Sequence, residues 1–241
     1  MSNPSGVAAD KLPRHIAVIM DGNGRWARER LLPRIEGHRR GSEAVRSCTA
    51  ACIEAGVEYL TLYAFSKENW QRPADEVRAL MILLDRFLAE RTAEIMERNI
   101  RLRAIGHLQD LPAKARKRLE ETIAKSADNT ALTLTLALSY GARTEIVDAA
   151  RQLAREAAAG TLDPESIDEA AIASRLYTAG TPDPDLLVRT SGEMRVSNFL
   201  LWQISYAEIV VTPKLWPDFA KEDLFDAMQE YARRNRRYGG I

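Results

Sequence analysis

The stretch His15-Ile16-Ala17-Val18-Ile19-Met20-Asp21-Gly22-Asn23-Gly24-Arg25-Trp26 decides how this chain is read. Its first half is a short β-branched apolar run, the pattern of a buried strand. The run ends in a carboxylate, two glycines that let the backbone bend closely, and an arginine. The polar segment from Trp26 to Leu32 is compatible with a helix. Strand, glycine turn and helix start together present backbone N–H groups to an anion. Asp21 would repel a bare phosphate, so the pattern points to a divalent cation between them. Mg2+ is commonly held by one or two carboxylates plus substrate phosphates. The alternative is an ordinary tight turn, because Asp-Gly and Asn-Gly pairs are common turn formers. The flanking segments favour the edge of an α/β sheet over a hairpin. No G-x-G-x-x-G and no G-x-x-x-x-G-K-[ST] occurs, so dinucleotide and P-loop readings lose support.

Working outward, the pattern repeats. Strand-like runs recur at His15–Met20, Tyr59–Phe65, Ile100–Gly106, Leu132–Ser139, Leu186–Arg189 and Glu208–Thr212. Most are apolar on both faces, as in a parallel sheet covered on both sides. Helical patterns separate them at Ser42–Ala55, Ala74–Asn99, Pro112–Ala127, Thr144–Ala159, Asp168–Tyr177 and Lys221–Asn235. Alternating strands and helices predict one α/β domain over 13–241, with about six mostly parallel strands and helices on both faces. Residues 1–12 read as a flexible N-terminus.

Of the 241 residues, 46% are hydrophobic and 28% charged, enough apolar material for one core. Lys+Arg and Asp+Glu both number 34, so the net charge of zero argues against a nucleic-acid binder that relies on bulk attraction to phosphates. Cys48 and Cys52, at i and i+4, read as reduced packing residues rather than as a disulfide or zinc framework. The absence of an apolar signal region, and of any run long enough to span a bilayer, predicts a cytoplasmic chain.

In open parallel sheets ligands bind at the carboxyl ends of the strands. The loops that follow the strands therefore form the candidate site: Asp21–Trp26, Ser66–Pro73 and Arg189–Asn198. They bring arginines, serines, an asparagine and carboxylates together, an inventory suited to a diphosphate with a metal ion. No Cys or Ser in these loops has an evident His partner, which disfavours nucleophilic hydrolysis.

These segments, with Gly37-His38, Tyr63-Ala64-Phe65-Ser66, Glu68-Asn69-Trp70, Arg72-Pro73, Arg189-Thr190, Gly192-Glu193, Arg195, Ser197–Gln203 and Tyr206-Ala207-Glu208, resemble the cis-prenyltransferase (isoprenyl transferase) family of undecaprenyl diphosphate synthase type. The resemblance runs from about Pro13 to Gly240, in order and at matching spacing. It implies repeated condensation of isopentenyl diphosphate onto an allylic prenyl diphosphate such as farnesyl diphosphate, giving a cis-polyprenyl diphosphate. Undecaprenyl diphosphate, a precursor of the lipid carrier for cell-wall synthesis, is the expected kind of product.

The resemblance also implies roles. Asp21 and Glu208 would hold Mg2+. Gly22, Asn23, Gly24, Arg25 and Trp26, with Arg34 and His38, would receive the allylic diphosphate. Arg189, Arg195, Val196 and Ser197 would hold the isopentenyl diphosphate, because a guanidinium fork binds phosphate oxygens in pairs. Ser66, Lys67, Glu68, Trp70 and Arg72 belong to the same binding loop, which is expected to move. Asn69 is assigned with Asp21 to catalysis, as proton acceptor. A carboxamide is a very weak base, so positioning, with a diphosphate oxygen taking the proton, is an equal reading. The long helix near 74–99 would line an apolar tunnel for the growing chain. Arg237 and Gly239 resemble a motif that reaches across a homodimer, and peripheral membrane contact would suit product release.

The sequence departs from the family pattern at Ser139-Tyr140-Gly141-Ala142-Arg143, at Lys67, and at Ser191 and Met194. Three other readings compete. A non-catalytic subunit would be expected to lack the aspartate loop. A trans-type synthase would need Asp-Asp pairs, and none occurs. A phosphatase using Asp21 as nucleophile leaves the Asn69-Trp70 loop unexplained.

Overall fold

The computed structural model describes residues 3–234. The six strands are β1 (His15–Ile19), β2 (Tyr59–Ser66), β3 (Ile100–Ile105), β4 (Leu132–Tyr140), β5 (Leu186–Arg189) and β6 (Glu208–Val211). They form one sheet in the order β3-β4-β2-β1-β5-β6, and every neighbouring pair is parallel. The helices are α1 (Asn23–Glu29), α2 (Arg34–Ala55), α3 (Ala74–Glu97), α4 (Ala113–Lys125), α5 (Ala142–Ala158), α6 (Glu169–Ala173) and α7 (Lys221–Arg233). No helix among them is long and apolar enough to cross a membrane.

Side chains alternate across a strand, so each apolar run feeds two cores. Ile16 and Val18 of β1, Leu186 and Val188 of β5, and the even-numbered leucines of β4 pack with α2, α3, α4 and α7. Ala17, Ile19, Leu187 and Ala137 face the other way, onto Ala142 of α5 and onto Phe199 and Leu200. The larger core thus lies on the α2–α3 side, beneath the helices that also border the site. Cys48 and Cys52 are buried and free.

Strand bounds agree with the sequence pattern within a residue at each end. Helix α2 does not, starting at Arg34 rather than Ser42. Gly37 and Gly41 weaken the helical signal there, yet both are needed by the packing. A Cβ on Gly37 would lie 2.0 Å from the Asn23 carbonyl oxygen, and one on Gly41 would lie 2.4 Å from Asn23 Oδ1. Helix α6 is shorter than expected, because the Tyr177 N–H leaves the helix to bond Glu145 Oε1 at 2.8 Å. The N-terminus is not a loose lead-in from residue 3 onward. Asn3 Nδ2 donates to the Ala55 carbonyl, Gln229 Nε2 donates to that of Ser5, and Ser5 and Val7 are buried.

One histidine ties β1 into the sheet. His15 Nδ1 donates to the Pro182 carbonyl at 2.6 Å, which leaves Nε2 to accept from Thr61 Oγ1 at 2.8 Å. Burial pushes this ring down to about 4, against the partial support of the Pro182 hydrogen bond. A histidine kept neutral in the folded state loses stability as pH falls from its unfolded value near 6.5 toward that folded value. The loss would approach about 3 kcal/mol at the acid end. The melting temperature is therefore expected to drop between pH 7.5 and pH 4.5, and His15→Asn should flatten that drop. An identical slope in the variant would assign the effect elsewhere.

Candidate active site

The loops leaving the carboxyl ends of β1, β2 and β5 converge around Asp21. The chain turns out of β1 at Gly22, whose φ of 102° suits glycine, and enters α1 at Asn23. The Asp21 main chain is fixed on both sides: its N–H reaches Thr190 Oγ1 at 2.9 Å, and its carbonyl accepts from the Trp216 N–H at 2.9 Å. Its side chain accepts from the Gly22 N–H at 2.7 Å and from Arg189 Nη2 at 2.8 Å. Burial raises the carboxyl, but these hydrogen bonds and the Arg189 charge outweigh it and hold Asp21 below the usual carboxylate range. It is ionised at neutral pH.

Arg189 is itself buried. Besides Asp21, its guanidinium donates to Ser197 Oγ at 2.8 Å and to the Arg195 carbonyl. Its Nε has no partner among the described residues. The same is true of Asn23 Oδ1 and His38 Nε2, both buried at the cavity wall. Burial, then the Arg72 and Arg34 charges, push His38 down to about 4, so its ring is neutral. Buried polar atoms are normally satisfied, and three orphans around one carboxylate suit a polar ligand.

Three hollows meet here, and Asp21 borders all of them. A cavity of about 210 Å3 runs inward, with Leu80, Leu84 and Phe87 of α3 and Leu136 and Leu138 of β4 on its walls. A polar basin bounded by Gly24, Arg25, Arg28 and Arg34 opens on one side. A second, bounded by Ser66, Glu68, Asn69, Arg72, Arg189 and Ser197, opens on the other.

The remaining expected residues divide clearly. Arg25 is tied by Nη1 to the Ser191 carbonyl and by Nη2 to Glu193, which also pairs with Arg195. Arg195 stands exposed, and Val196 packs against the smaller apolar cluster. Asn69 Oδ1 accepts from the Ser66 N–H at 3.2 Å, so this carboxamide caps its own turn. Glu68 accepts from Asn198 Nδ2 at 2.8 Å, joining that turn to the loop after β5.

Three residues stand apart from Asp21. Trp26 faces outward, with Nε1 on Asp218 and Arg30 stacked over its ring, because α1 turns that side chain away from the cavity. The Lys67 ammonium is taken up by His107 and Asp110. Glu208 lies furthest from Asp21 along the sheet. It begins β6 opposite Leu186, while Arg189 pairs with Val211, and in a parallel sheet the start of a strand lies at the edge opposite its end. At about 3.3 Å per residue, the three steps to the level of Arg189 amount to about 10 Å. Glu208 instead accepts from Arg234 Nη1 at 2.8 Å. Arg237 and Gly239 lie outside the described residues.

The sequence reading missed Glu76. This carboxylate, in the first turn of α3, accepts from Arg72 Nη1 at 2.9 Å and lies 3.3 Å from Arg34 Nε. It joins two arginines at the cavity mouth, and the i, i+4 spacing of Arg72 and Glu76 was its only signal.

No three His, Cys, Asp or Glu side chains among the described residues gather into a metal cage. One ionised carboxylate between two arginine-bordered basins does fit Mg2+ of the kind that substrate phosphates complete.

A charged mouth opening onto an apolar cavity defines an enzyme that holds an anionic head and a hydrocarbon tail together. Comparison with known proteins narrows the class. The family model describing undecaprenyl diphosphate synthases matches residues 19–239. The chain is 53% identical over 231 residues to the isoprenyl transferase of Heliobacterium mobile, covering 96% of this chain and 89% of that one. It is 51% identical to the isoprenyl transferase of Geobacter sulfurreducens, covering 97% and 95%. Among solved structures, lavandulyl diphosphate synthase from Lavandula x intermedia, in complex with dimethylallyl diphosphate, superposes with a TM-score of 0.94 at 36% identity, covering 96% of this chain and all of that one. A probable undecaprenyl diphosphate synthase from Campylobacter jejuni gives 0.79 at 35% identity, covering 95% and 99%. The chain belongs to the undecaprenyl diphosphate synthase family of prenyltransferases.

Asp21→Ala is expected to fold. The substitution removes the counter-charge of the buried Arg189, which then keeps only neutral acceptors, so the stability loss should be about 3–5 kcal/mol. Prenyl transfer should fall by about 100-fold or more, as when a charge-stabilising group is removed. A melt paired with a turnover assay checks both, and unchanged turnover would move the metal site elsewhere.

Proposed function

We propose that the protein elongates an allylic prenyl diphosphate, farnesyl diphosphate in the first instance, with isopentenyl units from isopentenyl diphosphate. The product would be a cis-polyprenyl diphosphate such as undecaprenyl diphosphate, the precursor of a cell-wall lipid carrier. One observation carries the reading: Asp21 borders both polar basins and the mouth of the apolar cavity. Two diphosphates can lie on either side of it while one tail enters the cavity. The dimethylallyl diphosphate bound to the lavender enzyme supports an allylic head in this fold.

The reaction requires an allylic carbon–oxygen bond to ionise, which needs negative charge to be stabilised in a dry site. Asp21 would hold Mg2+, which when bound neutralises developing charge on the leaving diphosphate. Arg34 and the main chain at Gly22–Gly24 would receive that diphosphate, with neutral His38 supplying one hydrogen bond. Arg189 and Ser197 would receive the isopentenyl diphosphate. Glu76 keeps Arg34 and Arg72 facing one another at the mouth. Asn69 is read here as a positioning group, consistent with its role as a cap, and a diphosphate oxygen would take the proton lost from the isopentenyl unit. Leu80, Leu84 and Phe87 would exclude water from the tail.

We read the chain as a cytoplasmic homodimer whose product release involves peripheral membrane contact. The edge strand β6, with Ile209 exposed, suits pairing with a second copy.

Incubating the purified protein with both diphosphates and Mg2+ should yield lipids longer than the primer, and chelation should stop their formation. If no chain exceeds the primer under either condition, the reading is wrong. Product length offers a further test. Val45 and Phe87 border both the main cavity and a smaller apolar hollow of about 30 Å3 that continues to Ile100 and Leu134. Phe87→Ala should merge the two and shift products upward by whole isoprene units. An unchanged product ladder would place the length limit elsewhere.

A further inference from the structure

The Lys67–Gln71 turn carries Asn69 into two of the three hollows, yet a second set of residues that hold it lies outside all of them. Two hydrogen-bonded chains run from it to one carboxylate. Trp70 Nε1 donates to Ser139 Oγ at 2.8 Å, and Ser139 Oγ donates to Asp110 Oδ2 at 2.7 Å. Lys67 Nζ reaches the same Asp110 oxygen at 3.4 Å and donates to His107 Nδ1 at 2.8 Å. The directions are forced, since an indole N–H and an ammonium only donate and an ionised carboxylate only accepts. His107 must therefore be the tautomer protonated at Nε2, which donates to Asp148 Oδ2 at 2.7 Å.

The surroundings brace this arrangement. Ser139 is buried and held at φ 47°, a conformation that costs a serine free energy. Its carbonyl is caught by the His107 N–H at 3.2 Å. Asp148 on α5 also accepts from Tyr177 and pairs with Arg151. The charged and titratable groups facing His107 are thus Lys67, Asp110, Asp148 and Tyr177, with Arg151 behind Asp148.

We propose that Asp110 and His107 are positioning residues for the prenyl transfer proposed above, on which this inference rests: together they hold the turn that sets Asn69 and Arg72 at the cavity mouth. Neither touches a hollow that receives substrate. Both act through Lys67 and Trp70, the residues on either side of Glu68-Asn69.

The test uses the full chain labelled with 5-fluorotryptophan, the Trp70 signal being assigned by its loss in Trp70→Phe. Asp110→Asn removes the charge while keeping the shape, so it serves if Asp110→Ala fails to fold. Either variant should displace the Trp70 fluorine signal and lower kcat by about tenfold or more, with KM changed far less, because a small misplacement near reacting atoms is costly. His107→Leu removes the acceptor for Lys67 and should shift the Trp70 signal and lower kcat in the same way, while His107→Asn, which keeps an acceptor, should restore much of both. An unmoved Trp70 signal in the Asp110 variant, or in His107→Leu, overturns the proposal. The fluorine signal needs no substrate, so a wild-type protein that turns nothing over would sink the prenyl-transfer reading while leaving this readout intact.

Discussion

The structure depends on a buried guanidinium. Arg189 closes β5 opposite Ile19, the last residue of β1, in a position almost shut off from solvent. A buried charge is tolerated only when paired and hydrogen-bonded. Asp21 supplies the charge, one residue beyond Met20, and Ser197 and the Arg195 carbonyl supply further acceptors. The parallel register of two central strands thus fixes where a carboxylate must stand and how the loop after β5 must fold. That loop meets the demand at a cost, with Ser191, Ser197, Asn198 and Leu200 all at positive φ. Side-chain residues in that region are strained, and strain collects at functional sites. Tyr63, stacked on Phe199 at 4.4 Å, and Gln203, bonded to the buried Glu145, keep the segment from relaxing.

The strands were legible because a sheet covered on both sides leaves little room for polar residues, and those gaps fell in the loops. The polar loops after β1, β2 and β5 were legible for the complementary reason: in a parallel sheet, chemistry collects where strands end. The role of Glu208 came from resemblance alone, and its place at the start of β6, away from Asp21, was not legible from residue type. The first turns of α2 stayed hidden because Gly37 and Gly41, poor helix formers, are there to admit Asn23. Trp26 and Lys67 show a different limit. Residue type and spacing placed them in the right loops, but a short helix or a single turn has no periodicity from which to read a side chain's direction. Glu76 went unnoticed because its partner Arg34 is remote in sequence.

Helix α3 explains how two incompatible environments share one wall. Its first turn carries Glu76, which pulls Arg34 from α2 and Arg72 from the preceding turn to the same carboxylate. Two arginines close together would repel, and Glu76 offsets that repulsion without neutralising the mouth. One and two turns further along, Leu80 and Leu84 already face the cavity. A helix rises about 1.5 Å per residue, so charge gives way to hydrocarbon over roughly 6 Å between Glu76 and Leu80. That short distance matters for the proposed chemistry. A leaving diphosphate needs cations beside it, whereas an allylic carbocation needs water kept away. Each requirement weakens the other unless the boundary between them is narrow and rigid. The Lys67–Gln71 turn matters for the same reason, since with Asn69 and the following Arg72 it closes this boundary opposite α3. Its anchors at Asp110 and His107 keep that side as well defined as the helix keeps the other.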